Sequence, residues 1–359
     1  MAYWSHISHY RKLEKSSKEK IKILFILKKR EDYDQEKHIR SELQTGLYNS
    51  AQFMNKMLLE LDFISHIAIV NDNNDIDREV TKFKPTHVII EALWVVPTKF
   101  NILKKLHPNV KWIIRLHSEI PFISNEGMAM DWIGEYLKIE NVTVAANSPR
   151  MLNELEIFNS NNTTYLPNFY PDISSYKKFN SDKEYIDIGC FGAIRPLKNH
   201  LIQAFAAIKF ANKIGKKLRF YINTGRIEMK GEPALRNLQS LFFHLRDSGH
   251  ELIIQDWSLR DNFLELCNKM DIGMQVSFSE TFNIVAADFI SQGVPIIVSK
   301  EIPWSSKIFC ADPVNMNSIY RMLLFSYYFP QWNVNNNYKN LKEYTDETKK
   351  IWNNYLYGT

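Results

Sequence analysis

Glu280 and Asp288 stand eight residues apart in SETFNIVAADFISQGVPIIVS (residues 279–299), with an almost wholly apolar stretch between them. Read as a helix over 281–292, closed by Gly293 and barred from continuing by Pro295, the segment puts both carboxylates on one face. The start of such a helix, from Thr281 onward, offers unpaired N–H groups and a partial positive charge, which together attract anions. One acid beside that start and another deeper suit a ligand whose phosphates are flanked by hydroxyls. A nucleoside-diphosphate sugar meets this description, with its ribose on Asp288, its diphosphate at the helix start and its sugar near Glu280. The plain alternatives are a dipole-favoured capping acid for Glu280 and solvent exposure for Asp288, since burying an unpaired carboxylate is costly.

Two cations, Arg195 and Lys198, follow an apolar run and precede a helical pattern expected to be capped by Asn199. There they would offset a diphosphate's charge without a metal ion; ordinary surface charge is the competing reading. His117 closes VKWIIRLH (110–117) and is either a substrate-facing group at a strand end or a satisfied core histidine. Trp257 either borders a nucleotide base or packs in the core, and Arg226 is a weaker candidate for the phosphates. Thr45 and Gly46 in QTGLYNS form a candidate acceptor or phosphate loop. A metal-dependent transferase would need an Asp-x-Asp in a strand–turn setting. The pairs Asp32/Asp34 and Asp75/Asp77 lie among polar, loop-like residues instead, so no metal cofactor is expected.

These groups need a scaffold. Short β-branched runs at 21–27, 66–70, 86–93, 110–117 and 142–148 alternate with helical patterns, and their near-continuous apolarity predicts a parallel sheet buried on both faces. After an irregular, proline-bearing stretch at 163–185 the rhythm restarts at 186–193 and recurs to 295–299. The expected fold class is α/β: two doubly wound, Rossmann-like domains facing a central cleft, with ligands at the carboxyl ends of the strands. The expected boundaries are 1–170, with a basic and aromatic arm at 1–20, then 171–330, then a helical tail at 331–359 crossing back. A chain of 359 residues with 45% hydrophobic and 24% charged residues suits two such domains. Three cysteines without C-x-x-C spacing disfavour a disulfide or zinc framework and suit a reducing cytoplasm, the host's if the protein is viral. The sequence contains no apolar run of membrane-spanning length and no signal-peptide core at its start, and its charge of +5 permits an acidic acceptor without requiring one.

The 279–299 stretch closely resembles the Glu-seven-Glu signature of the large retaining glycosyltransferase family four, which has the GT-B fold. Four further stretches resemble that family in the same order: RLHSEIP (115–121), ANSPRML (146–152), YLPNFYP (165–171) and GCFGAIRPLKNH (189–200). The resemblance covers most of 20–310. It implies that Glu280 holds the donor sugar's hydroxyls, that the amides of Phe282, Asn283 and Ile284 meet sugar and phosphate, that Lys198 sits on the diphosphate and that His117 lies beside the sugar. It also makes the turn containing Gly192 a phosphate grip and favours front-face attack by the acceptor. Asp288 departs from the family's glutamate by one methylene, Arg195 precedes the lysine by three residues where about five is usual, and the Gly-Gly loop is reduced to Gly46.

The implied activity is transfer of a sugar from a nucleotide donor to a hydroxyl with retention and without metal. Richness in Asn, Lys and aromatics resembles phage-encoded transferases, some of which act on hydroxymethylated bases in DNA. A DNA acceptor would need a basic strip, for which Arg11, Lys12, Lys15, Lys18, Lys20, Lys28, Lys29, Arg30 and Arg40 are the candidates. Polysaccharide, lipid and small-molecule acceptors are the alternatives; the apolar segment 119–137 is either an acceptor groove or a packed helix. A nucleotide-sugar epimerase and a non-catalytic nucleotide-sugar binder stand as other classes. The sequence does not fix the oligomeric state.

Overall fold

The computed structural model of the chain describes residues 21–29, 46–171 and 183–358. The arm at 1–20, Thr45, the pair Asp32/Asp34, and Arg30 and Arg40 lie outside the described residues. The chain divides into two compact units, Met1–Pro171 with Asp346–Thr359, and Asp172–Thr345.

In the first unit the order is β1 (Lys22–Lys28), α1 (Gly46–Glu60), β2 (Ile64–Val70), α2 (Asp75–Phe83), β3 (His87–Glu91), α3 (Phe100–Leu106), β4 (Lys111–Leu116), α4 (Ile120–Ile123), α5 (Ala129–Tyr136), β5 (Val142–Ala146), α6 (Pro149–Leu155) and β6 (Thr163–Tyr165). The six strands form one parallel sheet in the order β2-β1-β3-β4-β5-β6. Every residue of β3 is buried, as the near-continuous apolar runs require of a sheet covered on both faces. The strand β6 corrects the reading of 163–185 as linker throughout: TTY pairs with β5 through Val144 to Ala146, yet three residues carry too little period to be read.

The second unit runs β7 (Tyr185–Gly189), α7 (His200–Lys213), β8 (Lys217–Asn223), α8 (Glu232–His244), β9 (Glu251–Gln255), α9 (Arg260–Lys269), β10 (Ile272–Gln275), α10 (Ile284–Ser291), β11 (Ile296–Val298) and α11 (Met316–Tyr328). Its parallel sheet has the order β11-β10-β7-β8-β9. The chain therefore winds outward from β7 in one direction and, from β10, in the other. The carboxyl ends of β7 and β10 flank the switch point, where an open α/β sheet leaves a crevice. Two glycines let α10 press onto the sheet there: a Cβ on Gly273 would come within 2.5 Å of the Phe289 ring, and one on Gly189 within 2.8 Å. Phe289 in turn stacks on Phe191, ring centres 5.6 Å apart.

The last helix, α12 (Pro330–Tyr357), is continuous over 28 residues. Its residues to Thr345 belong to the second unit and those from Asp346 to the first. In the first unit the Trp352 indole donates to Pro167 O at 2.9 Å, and its ring packs beside Phe25. The helix starts at Pro330 itself, one residue before the helical tail expected at 331–359, since proline at the first helical position needs no donor.

Candidate active site at the switch point of the second unit

The loops leaving β7 and β10 carry the charged groups and are stitched together by their own polar side chains. The first loop ends in a short 3-10 turn, Pro196–Lys198, and Asn199 follows in the left-handed region at φ 60°, a conformation asparagine tolerates better than most residues. Asn199 does not cap α7 with its side chain, correcting that expectation. Its amide instead donates to Val276 O at 3.0 Å and to Pro313 O at 2.8 Å, tying the two loops. Gln203 accepts from Val276 N at 2.9 Å and donates to Lys198 O at 2.8 Å, and Phe278 N donates to Leu197 O at 2.9 Å. Gly192, at φ 121°, lies against Lys198 and passes through a region open in practice to glycine alone.

The product of this stitching is a buried ion pair, Lys198 Nζ to Glu280 Oε1 at 2.5 Å. Burial pulls the Lys198 ammonium below its ordinary pKa and Arg195 pushes the same way, with Glu280 opposing. For Glu280, burial alone would raise the carboxyl, but Lys198 and Arg195 outweigh it and hold it below the usual range. The Cys190 thiol, near Lys198, is pushed up to about 12, chiefly by burial. His200, the first residue of α7, is buried with no hydrogen-bond partner on either ring nitrogen. Burial and then the charges of Lys198 and Arg195 bring it down to about 3. It is a neutral imidazole, and the sequence reading did not single it out.

Arg195 is held by Glu228, Nη1 to Oε2 at 3.4 Å, and Arg226 pairs closely with the same carboxylate. The structure thus groups Arg195 and Arg226 around an acid that spacing did not reveal, because Glu228 belongs to the loop after β8. Trp257 is half-buried, with its backbone against Gly225.

The expected helix over 281–292 begins later, at Ile284. Asn283 sits at φ 61° and caps it, its side-chain oxygen accepting from Ala286 N at 2.9 Å while its amide donates to Gln275 Oε1 at 2.9 Å. Glu280 therefore lies in the loop before the helix, and the shared-face argument for the two acids is corrected. A left-handed cap cannot be told from a first helical turn by apolar periodicity. Thr281 is half-buried in that loop. Phe282 is core, its ring against Trp304 and Tyr344 and its carbonyl accepting from Trp304 Nε1 at 2.7 Å.

Asp288 is buried, which overturns the exposure alternative, and it is not left unpaired: Arg260 Nη2 donates to its Oδ1 at 2.6 Å. Arg260 is the first residue of α9, where the helix dipole disfavours a cation. That mismatch was the signal the sequence offered and the reading missed.

In the first unit three of the resembling stretches meet in one network. Arg115, fully buried, donates from Nη1 to both oxygens of buried Glu91 at 3.1 and 3.2 Å, from Nε to Leu166 O at 3.0 Å, and from Nη2 closely to Asn168 Oδ1. His117 Nε2 sits closely on Glu91 Oε2, and Asn147 Nδ2 lies 3.4 Å from its Nδ1. Ser148 donates to buried Glu119 at 2.5 Å, joined by Arg150 at 3.2 Å. Glu91 follows no motif and was not anticipated. Of the remaining residues, Gly46 opens α1, exposed. Asp75 pairs with Arg78 at 2.9 Å and Asp77 with His107 at 2.7 Å.

No model of a protein family matches the sequence, and no curated protein does. Solved structures do match in fold. The N-terminal domain of the trehalose-6-phosphate phosphatase of Candida albicans superposes with a TM-score of 0.66 at 10% identity, covering 93% of this chain and 96% of that one. Sucrose-phosphate synthase of Thermosynechococcus elongatus gives 0.63 at 12% identity, over 94% and 98%. HepE of Anabaena, in complex with UDP-glucose, gives 0.62 at 12% identity, over 92% and 95%. At these identities the likeness is one of fold: the chain has the GT-B architecture of two parallel-sheet, Rossmann-like units.

Proposed function

We propose that the protein is a glycosyltransferase that moves a sugar from a nucleoside-diphosphate donor to an acceptor hydroxyl, with retention and without a metal cofactor. The observation that carries the reading is the buried Lys198–Glu280 pair at the switch point of the second unit, between the loops that open α7 and α10. Solved structures of the same fold include one in complex with UDP-glucose, which supports a nucleotide sugar as the donor class.

Cleavage of the anomeric C–O bond leaves negative charge on the departing diphosphate and positive charge on the sugar. Lys198, with Arg195 behind it, meets the first, and the amides at Asn283 and Ile284 add dipoles already oriented before the charge develops. Glu280 accepts hydrogen bonds from sugar hydroxyls, which do not compete for charge as a second anion would. In a front-face reaction the acceptor oxygen bonds to the anomeric carbon on the side the phosphate leaves, and its proton passes to that phosphate oxygen. No protein nucleophile is needed. His117, in the first unit, hydrogen-bonds a substrate hydroxyl, while the Arg260–Asp288 pair borders the ribose.

Release of nucleoside diphosphate from a panel of nucleotide sugars, with modified DNA and simple glycans as acceptors, tests the proposal. Hydroxymethylated DNA is the acceptor to offer first. Of the cations expected to meet it, Lys28 and Lys29 are exposed at the end of β1, and the others named lie outside the described residues. Product anomers read by NMR decide retention, and activity in chelator decides the metal.

A further inference from the structure

Glu91 closes β3 and Arg115 is the penultimate residue of β4, so the two fall side by side in register at the carboxyl edge of the first sheet. Both are wholly buried. Burial on its own would raise the Glu91 carboxyl, but Arg115 and then His117 hold it below the usual range, so it is an ionised, acceptor-only group. It is met by the guanidinium at 3.1 and 3.2 Å and by His117 Nε2. Arg115 Nη1 also lies 3.4 Å from that nitrogen, a longer contact than the carboxylate makes, so Glu91 decides where the ring carries its proton.

An acceptor-only carboxylate against Nε2 places a proton on that nitrogen. Whether Nδ1 carries a second proton depends on charge. Arg115 already neutralises Glu91, and a second cation there would be buried beside the guanidinium. Burial and Arg115 oppose protonation of the imidazole, and together they outweigh the pull of Glu91. The Asn147 amide nitrogen, a donor, lies 3.4 Å from Nδ1, a long contact that suits a lone pair there and that a substrate hydroxyl would replace.

We infer that Glu91 and Arg115 are a positioning pair that fixes His117 as the neutral tautomer protonated on Nε2, so that Nδ1 acts as hydrogen-bond acceptor for a hydroxyl of the substrate. That the hydroxyl is a sugar's rests on the proposed function; the tautomer does not. Neither Glu91 nor Arg115 touches substrate, and each acts through the ring. A histidine held by a lone carboxylate would instead tend toward the doubly protonated form, a donor at both nitrogens. The guanidinium is what converts the same ring into an acceptor.

The test is a long-range nitrogen–proton spectrum of the full chain with nitrogen-15 histidine at neutral pH, the His117 signals being those lost in His117→Gln. A protonated-type shift at Nε2 with an unprotonated-type shift at Nδ1 is expected. The opposite tautomer, or two protonated nitrogens, overturns the inference. Glu91→Gln should mix the tautomers and lower kcat more than it changes UDP affinity; should that variant fail to fold, the wild-type spectrum decides alone. Added UDP-glucose is then compared with UDP by thermal shift and by the same spectrum. Movement of Nδ1 with UDP-glucose but not with UDP supports the hydroxyl contact, and stabilisation by UDP-glucose with an unmoved Nδ1 contradicts it. If neither nucleotide stabilises the protein, a uridine donor is excluded while the tautomer stands or falls on the wild-type spectrum.

Discussion

Arg260 donates to Asp288 at 2.6 Å across the space between the start of α9 and the middle of α10. This pairing explains how a carboxylate can be buried in an apolar helix at all, because the guanidinium supplies the charge and the donor that water would otherwise provide. It also means that a ribose meeting Asp288 meets an acid already engaged by a cation.

Removing one member of the pair should therefore cost stability as well as binding. Arg260→Gln is expected to lose about 3–5 kcal/mol, the usual cost of leaving a buried charge without its partner. Asp288→Asn with Arg260→Gln should lose less than the sum of the two single changes. Denaturant titration of the four proteins reads the coupling, and strict additivity would show that the pair is not energetically joined.

Acid should weaken the fold through His200 and His87. Burial brings their imidazoles down to about 3 and about 4 from 6.5, so both are neutral in the folded protein and protonate more readily when unfolded. The unfolded chain binds the extra protons. Stability is thus full above about pH 6.5 and falls as pH drops toward 3, by up to ~1.4 kcal/mol per pH unit for each histidine. His200→Gln should flatten this slope between pH 6 and 4 whatever it does to stability at neutral pH. An unchanged slope would mean that His200 gains no protons on unfolding.

Gly273→Ala tests how α10 is seated. Its methyl would come within 2.5 Å of the Phe289 ring, so a loss of about 1–3 kcal/mol is expected from overpacking. Phe289→Leu in the same chain should recover part of it. A neutral Gly273→Ala would show that the helix is free to move off the sheet.

Much of this architecture was legible because parallel strands buried on both faces leave continuous apolar runs. The strands at 87–91, 111–116 and 142–146 fall inside the segments read from pattern alone. The pairing of Lys198 with Glu280 was not given by spacing: 82 residues separate them, and only the strand order brings their loops together. What escaped falls into two kinds. The β6 strand and the late start of α10 are too short, or too dependent on one left-handed asparagine, to alter a periodicity. Glu91, Arg260 and Glu228 belong to no motif and His200 only ends one; their importance arises from the charges each meets in the fold, which a one-dimensional pattern does not contain.

The Asn199 turn should be equally sensitive. Asn199→Ala forfeits two side-chain hydrogen bonds and must hold φ 60° with a residue that dislikes it. A loss of about 2–4 kcal/mol follows from the strain and the unmet carbonyls. Asn199→Gly should recover the backbone part only. If the two variants are equally stable, the left-handed turn contributes nothing.

The most direct test of the account measures nucleoside diphosphate released from nucleotide sugars by wild type, Lys198→Ala and Glu280→Ala, with melting temperature recorded for each. Wild type is expected to turn over at least one donor. Each variant should remain folded and lose on the order of 10²–10³ in rate, as removal of a charge-stabilising group at a developing anion does elsewhere. Wild-type turnover in folded Lys198→Ala would contradict the account, because the ammonium at the switch point would then have no part in the departure of the diphosphate.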